Sequence, residues 1–289
     1  MVERPIYDIF KRGSKTYFYS TMFFPCEIKE DVFRLYSFVR VADDLVDAVP
    51  QKGDEFRAFR ETYRKALDGE PSGELVIDSF VDLSRRKGFD PRWTEAFLRS
   101  MEMDLTVRRY ESLEDLKIYL YGSAEVIGLF MARIMGLPEE SYPSARLLGR
   151  AMQYINFIRD IDEDLGLGRQ YFPQESLREF GLPSLDERAA RADPNSFRRF
   201  VRAQVSQYGR WGAEAYQGFH FIPWRYRLPI LTAADMYNFT AVRVLRDPFV
   251  VYRKKVKPSI PRILAGYTLN RLSPGATSSR QACMPNGGA

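Results

Sequence analysis

The sequence predicts an all-α fold, a single-domain bundle of helices, on three observations. Apolar residues recur at three- and four-residue spacing along most of the 289 residues, strand-like alternation is scarce, and proline and glycine cut the chain into helix-sized lengths. The breaks fall at Pro25, Pro50 with Gly53, Gly69 to Gly73, Gly88 to Pro91, Gly136 with Pro138, Gly166 with Gly168, Pro173, Pro183, Pro194, Pro223, Pro229 and Pro258. Between them lie roughly eight to ten helices of ordinary length. With no internal repeat and no linker, residues 1–272 read as one domain. Ser273 to Ala289, rich in Ser, Gly, Pro and Ala without periodicity, reads as a disordered tail.

A hydrophobic share of 45% with 14% aromatics is ample for one large core, and 28% charged residues argue against disorder. The formal net charge of +5 fits an anionic partner. Lysines and arginines are scattered and no nucleic-acid module is recognisable, so no nucleic acid is expected. The first residues, MVERPIYDIFKRG, interleave charge with apolar groups and lack the apolar core of a secretory signal, and the only cysteines, Cys26 and Cys283, stand at opposite ends. A cytoplasmic protein without disulfides is expected.

Taken in order, the first informative helix is Phe33 to Val49, FRLYSFVRVADDLVDAV, apolar almost all round until Asp43, Asp44 and Asp47 arrive together. Asp43 and Asp47 share one face a turn apart, with Arg40 one turn earlier. Alone, the cluster reads as a helix end dipping into solvent and neutralised by Arg40. The next, Ile118 to Leu137, reaches membrane-spanning length but carries Glu125 and Arg133 inside, so a buried core helix is the better reading.

The stretch Gln153 to Asp164, QYINFIRDIDED, changes the reading of the first cluster. Asn156, Asp160 and Asp164 climb one stripe at four-residue steps, with Gln153 a turn before. Like-charged carboxylates at that spacing repel, and an apolar neighbourhood raises their pKa, so a cation is expected between them. Mg²⁺, held by one or two carboxylates and completed by substrate phosphates, answers the requirement, and facing helices of a bundle can carry such a site. No calcium loop with oxygen ligands at alternate positions is present. Zinc and Ser-His-Asp chemistry are disfavoured because His220, in GFHFIPW, is the only histidine and no nucleophile elbow accompanies it.

With both clusters in view, the chain resembles the squalene/phytoene synthase family of head-to-head prenyl transferases. SKTYFYSTMFFP looks like the family's amino-terminal substrate segment, LYSFVRVADDLVD like its first aspartate-rich motif, and YINFIRDIDEDLGLGRQYFP like its second. The match runs in the family's order from about Ser14 to Lys257. It implies a bundle of the isoprenoid synthase type with a central active-site cavity.

By matching position, the resemblance makes Asp43, Asp47, Asn156, Asp160 and Asp164 ligands of Mg²⁺, with Mn²⁺ as the alternative ion. It gives the diphosphates to Arg40, Arg159 and Arg253, whose guanidinium forks suit phosphate oxygens. Tyr36, Gln153 and Tyr237 match positions near the reacting centre, and Ser14, Tyr17, Tyr119, Val126 and Gly128 match positions lining the cavity. Tyr36, Tyr119 and Tyr237 are equally read as core aromatics, and Lys254, Lys255 and Lys257 read as much as a solvated or membrane-facing patch as diphosphate ligands, so they stay outside the site. Two departures stand out. Gly13 replaces a histidine found near the diphosphate in some relatives, and Glu125 replaces a glycine common in the channel helix. The loop GLGRQYFP has the glycines of a lid.

The implied reaction joins two prenyl diphosphates, C20 or C15, through a cyclopropylcarbinyl diphosphate. The compact chain and the GRQYFP ending look more like phytoene and dehydrosqualene synthases than like reductive squalene synthases, and the first reading is phytoene synthesis from two C20 diphosphates, which needs no reductant. The alternatives are squalene, dehydrosqualene or presqualene diphosphate synthesis from C15, with NADPH used only for squalene. Further readings are a non-catalytic prenyl-lipid-binding or assembly protein and a class I terpene cyclase. Peripheral association with a membrane is compatible with the basic charge; oligomeric state is not legible.

Overall fold

The computed structural model describes residues 2–272, and the expected tail from Ser273 lies outside the described residues. Among these, the helices in order are α1 (Arg4–Gly13), α2 (Lys15–Thr21), α3 (Cys26–Asp47), α4 (Gly53–Asp68), α5 (Leu75–Lys87), α6 (Pro91–Thr106), α7 (Leu113–Leu120), α8 (Val126–Ile134), α9 (Tyr142–Arg159), α10 (Ile161–Gly166), α11 (Gln174–Glu179), α12 (Glu187–Ala192), α13 (Pro194–Tyr216), α14 (Trp224–Arg246) and α15 (Ile260–Leu272). No strand forms among the described residues; a lone bridge joins Arg109 to Gln170. The all-α expectation holds.

The helices outnumber the expected count because some breaks use neither proline nor glycine. Ser14, extended at φ −147°, separates α1 from α2 and caps α2 by accepting from the Tyr17 amide. Asp160 separates α9 from α10, yet its amide donates to Asn156 O at 2.8 Å and the Asp164 amide donates to Asp160 O at 2.8 Å. The four-residue stripe through the second acidic cluster therefore survives the break. The apolar stretch around Glu125 is also divided: a π turn, Tyr121–Glu125, joins α7 to α8. Pro229 breaks nothing and lies inside α14, at the cost of one backbone hydrogen bond. Gly69, with φ +110°, ends α4 in the left-handed conformation that a side chain would disfavour.

Two apolar clusters fill the bundle. One joins α1, α3, α4, α5, α6 and α8, with Phe38 stacked on Phe80 at 3.9 Å between ring centres. The other joins α7, α9, α13 and α14 and is rich in aromatics such as Tyr154, Phe172, Phe197 and Phe200. Helix α9 packs along α13 on one side and α8 on the other, and also meets α14. Its approach to the π turn and α8 is close: a Cβ on Gly149 would lie 2.3 Å from Ala124 O, and one on Gly128 2.1 Å from Ala145 O. No helix among the described residues is long and apolar enough to cross a membrane.

Candidate active site

A cavity of about 860 Å³ opens between the helices. One part of its wall is acidic and basic, supplied by the end of α3 and the α9–α10 junction. The rest is mostly apolar, with Phe24, Phe97, Met101, Ile127, Met131 and Ile230 among its residues.

The first cluster projects from the last turns of α3. Asp43, Asp44 and Asp47 all line the cavity, and Arg40 donates from Nη1 to Asp43 Oδ2 at 3.3 Å and pairs with Asp44. Burial and the neighbouring Asp47 push the Asp43 carboxyl up to about 7, while Arg40 pulls it down and Asp104 and Asp44 add to the rise. An aspartate raised in the folded state favours folding fully only below its ordinary pKa, and that contribution is lost as pH rises through the folded value. Accordingly, in EDTA, Asp43→Asn should raise the melting temperature at pH 8, and the gap from the unsubstituted protein should close as pH falls towards about 4. A pH-independent gap in thermal unfolding would contradict this charge assignment.

The second cluster is built across the α9–α10 break. Arg159 forks onto Asp160, with Nε 2.8 Å from Oδ1 and Nη2 2.5 Å from Oδ2. Lys255 pairs with Asp160 at 3.3 Å and also with Glu163. Burial, then Asp160, Glu163 and Asp47, hold the Asp164 carboxyl well above its usual range. Asn156 donates from Nδ2 to Gln153 Oε1 at 3.3 Å, while its Oδ1 is buried with no hydrogen-bond partner. A buried amide oxygen left over beside crowded carboxylates is the donor set a hard cation takes. Among the described residues, no three acidic, His or Cys side chains converge on one point. The oxygen donors are spread across the gap instead.

Three tyrosines stand near these groups. Tyr36 stacks on Phe10 at 4.0 Å, and Tyr17 lies 6.5 Å from Tyr36 and 5.9 Å from Tyr237, ring centre to ring centre. Burial raises all three phenols above their ordinary value, so none is an anionic base near neutral pH. Gly13 also acquires a reason: a Cβ there would sit 2.5 Å from the Tyr36 hydroxyl.

Ser14, Tyr17, Tyr36, Arg40, Tyr119, Gly128, Gln153, Asn156, Arg159 and Tyr237 all lie on the cavity wall with Asp43, Asp47, Asp160 and Asp164. Two expected residues do not. Val126 is fully buried in the apolar core beside the cavity, because the π turn shifts the helix phase and leaves Ile127 and Gly128 facing inward. Arg253 is exposed and pairs with Asp247 at the far side of a short 3₁₀ turn, Pro248–Tyr252. Lys255 and Lys257, set aside as a solvated patch, line the cavity in its place. His220 is exposed and bonds only to Gln217 O.

The sequence reading also passed over Asp104, Tyr171 and Arg169. Asp104 is buried in the last turn of α6, where the Tyr119 and Tyr171 hydroxyls donate to its two oxygens at 2.7 and 2.8 Å. Burial, opposed by Arg169 and the two phenols, raises it to about 6. With no acidic residue three or four positions away, Asp104 gives no spacing signal; Arg169 and Tyr171 stand in the GRQYFP segment without a role of their own.

Glu125 lies behind the wall, 1% exposed, where it accepts from Arg146 Nε at 2.8 Å and Arg150 Nε at 2.7 Å, both on α9. Each arginine also covers an aromatic ring, Tyr121 and Trp211. Glu125 thus neither narrows nor lines the channel; it ties the π turn to the helix carrying Asn156. Removing one partner of a buried ion pair is costly, so Glu125→Ala should lower stability by about 3 kcal/mol in urea unfolding. Its half-saturating metal concentration should stay unchanged.

The model of the squalene/phytoene synthase family matches residues 10–262. The chain belongs to this family. It is a prenyltransferase, divalent-metal-dependent as the family is. It is 26% identical over 265 residues to 15-cis-phytoene synthase of Synechococcus elongatus, covering 86% of this chain and 85% of that one. It is 34% identical over 182 residues to presqualene diphosphate synthase of Rhodopseudomonas palustris, covering 61% and 64%. The solved structure of a dehydrosqualene synthase with bound ligand superposes with a TM-score of 0.83 at 21% identity, covering 94% and 95%. That likeness shows the shared fold of this family of squalene/phytoene synthases.

Proposed function

We propose that this squalene/phytoene synthase joins two C20 prenyl diphosphates head to head to give phytoene, with Mg²⁺ held between the two acidic clusters. The observation that carries the reading is one cavity whose polar end faces two carboxylate clusters, each with its own arginine, and whose remaining wall is largely apolar. Its volume of about 860 Å³ lies near the upper end for small-molecule sites. Two charged heads and two long hydrocarbon tails ask for such a division.

Asp43, Asp47, Asn156, Asp160 and Asp164 are the proposed metal ligands. When bound, Mg²⁺ supplies Lewis-acid neutralisation of the departing diphosphate. Arg40 and Arg159 are held by carboxylates of these clusters, so a cation taking over Asp43 and Asp160 would release the Arg159 fork and one of the two ion pairs of Arg40 for diphosphate oxygens. Lys255, paired with Asp160 and Glu163, stands in the same relation, and Lys257 extends the basic rim.

In the proposed reaction the C–O bond of the first diphosphate breaks and the bonding pair leaves with it. The double bond of the second substrate attacks the allylic cation, and loss of a proton closes the cyclopropane. A second ionisation rearranges the ring, and loss of a further proton completes the triene without a reductant. The residues' part is to exclude water and present aromatic faces, Tyr17, Tyr36 and Phe157 among them, to the positive charge. A cytoplasmic protein meeting its lipid substrates at a membrane surface is the setting this reading implies.

The presqualene diphosphate synthase relative favours a second reading, use of C15 substrates. Purified protein supplied with C15 and C20 diphosphates together, with Mg²⁺ and with or without NADPH, separates the two through the extracted hydrocarbon. A C40 product formed without NADPH is expected. Squalene formed only with NADPH, and nothing from C20, would reject the phytoene reading.

A further inference from the structure

From its contacts we infer that Arg169 is a positioning residue: it fixes the first acidic cluster relative to the second and thereby sets the affinity of the pair for the metal. The inference rests on the metal reading of the two clusters given above.

Arg169 follows α10 and is 3% exposed. A buried guanidinium is tolerated only when its donors are matched. Here they are matched by atoms of two different helices. Nη1 donates to Asp47 Oδ1, Nη2 to Val46 O at 2.6 Å, and Nε to Asp104 O at 3.2 Å. Its own amide donates to Asp164 O at 2.8 Å. One residue therefore touches the first cluster through its side chain and the second through its main chain.

A parallel link joins the same two helix ends. Gln51 Nε2 donates to Val46 O and to Asp104 O, both at 2.9 Å. Gln51 does not line the cavity. Behind them, Tyr119 and Tyr171 hold the Asp104 carboxylate, so the ends of α3 and α6 and the loop after α10 form one braced unit. The orientation of Asp47 is thus set by groups from outside its own helix.

Arg169 also lies on the cavity wall, which raises the rival role of direct diphosphate ligand. Its partners argue against it. Arg40 and Arg159 are held by side-chain carboxylates alone, whereas Arg169 is also held by two helix-end carbonyls. A lysine at this position offers one point charge and cannot reproduce the fork.

The test compares Arg169→Lys, Arg169→Gln and Gln51→Ala with the unsubstituted protein. The probe is a thiolo analogue of the C20 diphosphate, whose C–S bond resists ionisation. Mg²⁺ is titrated against the melting temperature of the analogue-bound protein, and separately against turnover. Groups that orient metal ligands are worth about 10- to 100-fold in metal affinity, and a rise of that size in half-saturating Mg²⁺ is expected for both Arg169 variants. Gln51→Ala should shift it in the same direction by less. At saturating Mg²⁺ the KM for prenyl diphosphate should be unchanged.

A raised KM with unchanged half-saturating Mg²⁺ would make Arg169 a direct diphosphate ligand and overturn the inference. So would unchanged half-saturation in folded Arg169 variants. If circular dichroism shows those variants unfolded, Gln51→Ala decides alone, and an unshifted Mg²⁺ titration overturns the inference. Absence of any metal dependence in the unsubstituted protein would remove the metal reading and this inference together.

Discussion

Asp160→Ala should lower turnover by about 10³-fold, the scale on which loss of one preorganised group stabilising developing charge is felt, while helical content stays intact. Asp160 is the carboxylate on which the second cluster turns: Arg159 forks onto it and Lys255 pairs with it. Its removal takes away a proposed metal ligand and leaves Arg159 without its carboxylate, while Lys255 keeps Glu163. The variant should therefore hold diphosphate better in EDTA than the unsubstituted protein does, while having lost the chemistry. Asp43→Ala should lose turnover on the same scale, and in EDTA near neutral pH it should melt higher, because it relieves a carboxyl pushed up to about 7. Retained turnover in both variants would remove the metal assignment.

The second large effect is on ligand binding. In EDTA, Arg40 and Arg159 are committed to Asp43, Asp44 and Asp160, so a diphosphate must break ion pairs to engage them. With Mg²⁺ on Asp43 and Asp160 that competition falls to the single Arg40–Asp44 pair. A C20 diphosphate analogue at a hundred times its Kd should stabilise the protein by about 2.7 kcal/mol by mass action when Mg²⁺ is present. In EDTA the shift should largely vanish, and turnover should vanish with it and return on adding Mg²⁺. An equal thermal shift in EDTA would mean that the arginines alone hold the diphosphate.

The residues legible in the sequence are those whose spacing is itself the chemistry. Asp43 with Asp47, and Asn156 with Asp160 and Asp164, are one turn apart, and the turn carries them to one face whatever surrounds the helix. The helical class was legible for the same reason. What a match of positions to the family does not carry is the helix phase beyond an irregularity. The π turn at Tyr121–Glu125 adds a residue to the turn, so Val126 points into the core while Gly128 keeps the wall.

Contacts closed by tertiary structure were equally hidden. Arg253 is captured by Asp247 across a 3₁₀ turn, and Lys255, two residues on, reaches Asp160. Asp104 and Arg169 are far apart in the chain, and neither has an acidic residue three or four positions away. Only the meeting of the α6 end with the loop after α10 gives either a role. Glu125 stood only as a departure from a glycine in the channel helix, because its two arginine partners lie a full helix away on α9.

The central claim is that one cavity joins two identical prenyl diphosphates. Incubating the protein with an equal mixture of light and fully deuterated C20 diphosphate and Mg²⁺, then weighing the hydrocarbon, tests it most directly. Light, mixed and heavy C40 products should appear, the mixed one most abundant, with no NADPH required. Only light and heavy C20 hydrocarbons, with no mixed species, would show that each substrate reacts alone and would contradict the account.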